Sequence, residues 1–223
     1  MKLVYPWDAS AFNGTPADMD FVTAYLRRTG YQIDRVQAMQ GSSYVVQGID
    51  KIMKEELLDL RWVLAVSNSH RFLRDLATAI PVIYSLTTRM ASNSVTTGKL
   101  YDLFRVPGPS SEFDPDPAGD ELYNLERTSL LVWEDIVDTV QNSIRMSGKY
   151  TAFLRKRVVL KKATCLFTSL YSGSWNEAAY EGIKGGLQNA IGSTAAGIII
   201  ENAVLINFHH KQETPKVKTV NIG

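Results

Sequence analysis

The 223-residue chain contains one cysteine, Cys165, and three histidines. A single thiol excludes an internal disulfide framework and any metal site built on several cysteines. Charge of one sign is scarce as well: 24 Lys+Arg stand against 23 Asp+Glu, a net charge of +1. No global attraction to nucleic acid or an anionic membrane follows from that balance, so such a contact has to come from a local patch. Long apolar runs are missing. The longest, Ala195-Ala196-Gly197-Ile198-Ile199-Ile200, stops at Glu201, short of the roughly 18–20 residues of a membrane span. Met1 to Asp8 lacks the apolar core of a secretory signal, and the expectation is a cytoplasmic protein with no membrane partner. What is present, 45% apolar and 21% charged residues, is ordinary globular composition and enough for one domain with a small appendage.

Two regions are expected. Residues 1–60 read as mainly helical: Met19, Val22, Tyr25 and Leu26 fall at helical spacing, as do Ile49, Ile52, Met53, Leu57 and Leu60. Residues 61–223 read as an α/β domain. Short apolar strands are expected at Trp62 to Val66, Val82 to Leu86, Ser129 to Trp133, Ala163 to Ser169, Gly197 to Ile200 and Ala203 to Phe208, with a β-like tail at Val217 to Ile222. Helices are expected at Asp18 to Arg28, Arg71 to Ile80, Thr97 to Arg105, Ile136 to Leu154, and Trp175 to Ile191 with a break at Gly185-Gly186. Residues 106–121, rich in Pro, Gly and acids, read as a surface loop. Apolar strands alternating with helices imply a three-layer fold, a mainly parallel central sheet with helices on both faces.

The order of these segments carries a resemblance. A strand running into a helix at 62–80 is followed by Leu130-Leu131-Val132-Trp133-Glu134-Asp135, and then by Cys165-Leu166-Phe167-Thr168-Ser169-Leu170. This order resembles P-loop ATPases of the AAA+ class, in particular helicase loaders of the DnaC type and transposition helpers of the IstB type, over residues 60–210. The resemblance implies a RecA/AAA+-like sheet, an acidic Walker B pair at the end of the second strand, and a polar sensor at the end of the third. Ile200 to Phe208 is similar to the family's closing stretch.

Several departures accompany it. A phosphate-binding Walker A loop needs glycines, a lysine and a Ser/Thr, yet Val66-Ser67-Asn68-Ser69-His70-Arg71-Phe72 has no glycine and no lysine. Thr97-Gly98-Lys99-Leu100 holds a Gly-Lys pair without the upstream glycine, and lies too close to the acidic strand. Trp133 stands where the magnesium-linked Asp belongs, and Leu170 at the usual amide position. The resemblance therefore implies a degenerate relative that does not hydrolyse ATP, has no catalytic residue and needs no cofactor. Its vestigial nucleotide site would comprise Ser69, His70, Arg71, Glu134, Asp135 and Thr168. Each has a plainer reading: Ser69 as a helix N-cap, Glu134 and Asp135 as acids at a helix start, Thr168 as a strand-end turn.

Arg155, Lys156, Arg157, Lys161 and Lys162 form the densest basic cluster, five cations in eight residues, able to meet several phosphates of a nucleic acid. The same cluster reads equally as a solvated helix end. His209-His210, and Asp114, Asp116 and Asp120, lack metal-ligand spacing, and Ser172-Gly173-Ser174 lacks a nucleophile elbow. Two functions remain. One is a non-hydrolysing AAA+-like binding and assembly subunit in a DNA-associated complex of replication, transposition or a mobile element, working as a homo-oligomer with protein partners. The alternative is a structural or interaction subunit of a larger particle, viral or otherwise, with no nucleotide or DNA function. The discriminating expectation is topological: strands 62–66, 130–133 and 164–168 should be neighbours.

Overall fold

The computed structural model describes Leu3, Tyr5 and residues 39–55, 57–59, 61–108, 115–137, 146–169 and 177–208. The expected helix at 18–28 and the tail at 217–222 lie outside the described residues. In chain order the elements are α1 (Ser43–Glu55), β1 (Trp62–Ser67), α2 (His70–Thr88), β2 (Ser92–Thr96), α3 (Thr97–Arg105), α4 (Pro117–Arg127), β3 (Leu130–Glu134), α5 (Ser147–Val159), β4 (Ala163–Thr168), α6 (Glu177–Ile191), α7 (Ser193–Asn202) and β5 (Ala203–Phe208). The five strands form one parallel sheet in the order β2-β3-β4-β1-β5. The strands at 62–67, 163–168 and 130–134 are consecutive in it, as the AAA+ resemblance requires.

Alternation along each strand feeds two cores. Val63, Ala65, Leu130, Val132, Cys165 and Phe167 face α1 and α2, while Leu64, Val66, Leu131, Trp133 and Leu166 face the layer of α3 to α7. The chain leaves β1 for the β2 edge over the first face through α2. It returns to β3, β4 and β5 over the second face. Reversing both direction and face keeps a single crossover hand. The buried residues of α1, Val45, Ile49, Ile52 and Met53, join the same core as β1 and β4.

Five expected elements differ. Val82 to Leu86 is the second half of α2, not a strand: α2 is sandwiched between the sheet and α1, so residues 81–87 are all buried and lose the amphipathic signature. Pro81 sits inside this helix, and its carbonyl is taken up by the Ser92 hydroxyl at 2.7 Å, itself 2.6 Å from Ser85 Oγ. Gly197 to Ile200 likewise belongs to the buried helix α7 rather than to a strand. The loop at 106–121 ends early, because Asp116 caps α4 by accepting from the Gly119 amide at 2.8 Å and Pro117 occupies the first turn. The helix expected at 136–154 is described from Ser147 to Val159, and α6 runs unbroken through Gly185-Gly186. Strand β2, Ser-Asn-Ser-Val-Thr, is a half-buried edge strand that its polar sequence conceals.

Candidate functional site

Ligands of open parallel sheets sit beyond the carboxyl ends of the strands. The residues singled out from the sequence are brought to that edge: Ser69, His70 and Arg71 follow β1, Thr168 ends β4, and Glu134 and Asp135 close β3. Because β3, β4 and β1 are adjacent, these groups share a stretch of edge about 10 Å wide, two strand spacings.

The turn from β1 to α2 consists of Asn68 and Ser69 alone. The Ser69 amide donates to Ser67 Oγ at 3.1 Å, and Ser69 Oγ accepts from the Phe72 amide at 3.3 Å. Ser69 is thus the N-cap of α2. A phosphate cradle wraps a glycine-rich loop of about eight residues so that several amides converge on the anion. Two residues cannot wrap, and here two of the amides are spent on serine hydroxyls. His70 and Arg71 are exposed at the first turn of the helix.

At the acidic strand, Trp133 is wholly buried. Its indole Nε1 donates to Thr97 Oγ1 at 3.0 Å, and that hydroxyl donates to the Asp135 carbonyl at 2.9 Å. The ring stacks on Tyr150, with centroids 5.8 Å apart, and meets Phe153 edge-on. The indole thus fastens the start of α3 to the end of β3. Glu134 is half-buried and opens onto a groove of about 760 Å³ beside β2, shared with Thr96, Lys99 and Glu121 and with none of Ser67 to Arg71. Lys99 and Glu121 are ion-paired across that groove.

Thr168 is fully buried, and its Oγ1 has no hydrogen-bond partner among the described residues. Neither has Asn207 Oδ1. Thr168 and Asn207 pair in register with Val66 from either side, so both lie on the same sheet face, two strands apart. Sequence reasoning missed Asn207 and the Trp133–Thr97 bond; the repeated inward parity of Val66, Thr168 and Asn207 was the available signal.

The basic cluster lies at the opposite, amino edge, where α5 turns into β4. The structure removes Arg157 from it. This side chain is 0% exposed. Its Nε donates to Thr164 Oγ1 at 3.0 Å; Nη1 reaches the carbonyls of Leu125 (2.6 Å), Glu126 and Thr128, and Nη2 that of Ala163. Desolvation lowers its pKa to about 9, against the opposing pull of Tyr84 and Glu126, so the guanidinium is charged at neutral pH. Arg157 is an internal anchor tying the end of α4 to the starts of β3 and β4. Lys156 is ion-paired with Glu126. Arg155 and Lys161 are exposed and Lys162 half-exposed; the Lys162 carbonyl accepts from Trp62 Nε1 at 2.9 Å.

No family model and no curated protein matches this sequence. Solved structures do match its shape. The DnaC helicase loader superposes with a TM-score of 0.53 at 17% identity, over 74% of this chain and 85% of that one. DnaA from Aquifex aeolicus bound to AMPPCP superposes at 0.50 and 8% identity, over 74% of this chain and 44% of that one. The fold is AAA+-like. Among the described residues no helix is long and apolar enough to cross a membrane.

Proposed function

We propose that this protein is a non-hydrolysing AAA+-like subunit that acts by binding and assembly within a DNA-associated complex. The observation that carries the reading is the β1–α2 turn. A two-residue connection, with the Ser69 amide taken by Ser67 Oγ and the Phe72 amide of α2 taken by Ser69 Oγ, leaves no cradle for a triphosphate. Trp133, packed on Tyr150, supports the same reading by replacing the metal-linked carboxylate with a core side chain. Both parts of the nucleotide chemistry are lost while the sheet that frames them is kept. A helicase loader and a replication initiator bound to single-stranded DNA are among the proteins of similar shape, which supports the DNA-associated setting. Direct contact with DNA would fall to Arg155, Lys161 and Lys162, with Lys156 shared with Glu126.

ATP and DNA titrations of the purified protein test both halves. No calorimetric heat with Mg-ATP and no turnover are expected; turnover of roughly 1 s⁻¹ or more that vanishes in Glu134→Gln would overturn the non-hydrolysing half. Three phosphate contacts give a log–log salt slope of about −2 on single strands. Absence of DNA binding at low salt favours the second reading, an assembly subunit with no DNA function. That reading has its own observation: Val159, amid the cations, is 78% exposed, and an aliphatic side chain contributes little to a phosphate contact.

A further inference from the structure

Strand β2 is paired on one side only: it neighbours β3, and among the described residues no strand lies beyond it. The Leu130 amide donates to the Ala91 carbonyl at 3.3 Å, and Ser92 stands opposite Leu130. In a parallel ladder alternate residues turn their N–H and C=O to the same side. Ala91, Asn93 and Val95 therefore address β3, while Ser92, Ser94 and Thr96 address the outer edge. Helix α4 runs beside that edge, antiparallel to β2 and tied to it at both ends. At the amino end its C-cap Thr128 donates through Oγ1 to the Ala91 carbonyl at 3.2 Å; at the carboxyl end Glu121 pairs with Lys99. Between these ties lies the groove of about 760 Å³, with Asn93 to Thr96 on one side and Glu121, Asn124, Leu125 and Arg127 on the other. We propose that this groove receives an extended segment of a partner protein, which adds to β2 as a sixth strand and carries an acid at its Arg127 end and a base at its Glu121 end. The inference deepens the assembly half of the function proposed above by naming the kind of partner, and it uses neither nucleotide nor DNA.

Three observations select that occupant. The first is the backbone: main-chain groups turned outward at every second residue are matched by another extended main chain. The second is size. α4 has 11 residues, about 16 Å of helix, and β2 has five, about 17 Å of strand, so the groove takes about five residues of extended chain. Its walls suit the side chains such a segment turns inward: Val95 and Leu125 are apolar, and the amides of Asn93 and Asn124 flank them. The third is charge. Arg127, exposed and stacked over the Tyr123 ring at 4.3 Å, stands at the amino end. At the carboxyl end Glu121 and Glu134 outnumber Lys99. Two cations and two acids leave the groove without net charge, so a nucleic acid backbone gains nothing there. A segment with an acid at one end and a base at the other meets the opposite charge at both.

The test uses two labelled peptides with blocked ends, Asp-Thr-Val-Thr-Lys and its reverse Lys-Thr-Val-Thr-Asp, since charge fixes which end meets Arg127 and leaves the strand direction open. One of the two should bind the full-length protein with a dissociation constant on the order of 100 µM, as small transient contacts do. At saturation it should slow hydrogen exchange of the Ser94 amide about fivefold. An uncharged Ala-Thr-Val-Thr-Ala peptide should bind about fivefold more weakly. Only alternate amides of an added strand face β2, so N-methylation of the valine and of the threonine after it should act unequally, one abolishing binding and the other sparing it. Arg127→Glu should weaken the charged peptide and spare the uncharged one, with circular dichroism unchanged because the side chain is exposed. Ser94→Pro removes an outward amide from an edge strand, where proline is tolerated, and should abolish binding of both; if that variant does not fold, Arg127→Glu and the methylated peptides decide. ATP and DNA titrations test the function proposed above separately, so its failure and the failure of this inference are read apart. No binding of either orientation at about 1 mM, equal effects of the two methylations, or binding of the charged peptide undiminished by Arg127→Glu overturns the proposal. So does self-association of the wild-type chain that Ser94→Pro abolishes, which makes the occupant a second copy, or a single-stranded DNA that slows exchange at Ser94 where the peptides do not.

Discussion

The two edges of one sheet are built on different terms. At the amino edge the strand starts are locked by directed bonds: Trp62 to the Lys162 carbonyl, and Arg157 to Thr164 and to carbonyls of α4, of its C-cap Thr128 and of β4. At the carboxyl edge Ser67 and Ser69 close a two-residue turn, Trp133 is held through Thr97, and Thr168 Oγ1 and Asn207 Oδ1 are buried with no hydrogen-bond partner among the described residues. A buried polar group without a partner costs free energy that a satisfied one does not. The amino edge therefore carries specification of the fold. The carboxyl edge keeps buried polar atoms, Thr168 Oγ1 and Asn207 Oδ1, that no described residue satisfies.

The largest test of that contrast is Arg157→Leu. It removes a guanidinium whose donors satisfy four carbonyls, three of them buried and that of Glu126 part-buried, and a hydroxyl, and losses of about 3–5 kcal/mol are expected when buried networks of this kind are broken. Arg157→Lys should recover little, since one ammonium cannot reach groups spread over three elements. Urea denaturation followed by circular dichroism measures both; a loss under about 1 kcal/mol for the leucine variant would refute the anchor.

Next in size is Trp133→Asp, which puts an acid where the AAA+ resemblance leads one to expect it. The site is fully buried against Tyr150 and Phe153, so an unpaired carboxylate there should cost about 3 kcal/mol or more and confer no ATPase activity. Trp133→Phe keeps most of the packing and loses the bond to Thr97, for a cost of about 1–2 kcal/mol. Thermal melts rank the two. Gain of turnover by the Asp variant would show that the β1–α2 turn does accept phosphates.

How far these features were legible follows from which residues carry them. β1, β3, β4 and β5 were visible as short apolar runs, and the AAA+ resemblance carried by their order is what grouped Ser69, Glu134 and Thr168. β2 was not, because an edge strand half open to solvent needs no apolar run, and Ser-Asn-Ser-Val-Thr has none. Burial on every side misled twice: residues 82–86 of α2 and 198–200 of α7 read as strands because helices enclosed by other elements lose their polar stripe. Arg157 was hidden for the opposite reason. In sequence it stands between Lys156 and Val158 inside a basic run, and nothing local separates a charge that faces solvent from one that faces carbonyls 29–32 residues away. That residues 66–72 hold no glycine and no lysine was legible from composition, while the bonds of Ser67 Oγ and Ser69 Oγ to the Ser69 and Phe72 amides were not.

The finest test compares two threonines on one strand and one face. Thr164 and Thr168 both lie on β4, four residues apart, both wholly buried, with side chains of the same parity. Thr164 Oγ1, at the amino edge, accepts from Arg157 Nε at 3.0 Å. Thr168 Oγ1, at the carboxyl edge, has no partner among the described residues. Replacing each by valine exchanges a hydroxyl for a methyl of similar volume, so packing is nearly held constant and hydrogen bonding is what changes. Thr164→Val strands a buried donor on a charged group and should cost about 1–3 kcal/mol. Thr168→Val removes a hydroxyl that is buried without reward, and stability should stay within about 0.5 kcal/mol of wild type or rise. Denaturant midpoints of the two variants, read against the same slope, give the difference directly. Equal losses would mean that Thr168 is bonded after all and that the two edges are equally specified. A loss at Thr164 alone identifies the carboxyl-edge hydroxyl as one the folded chain does not need for its own stability.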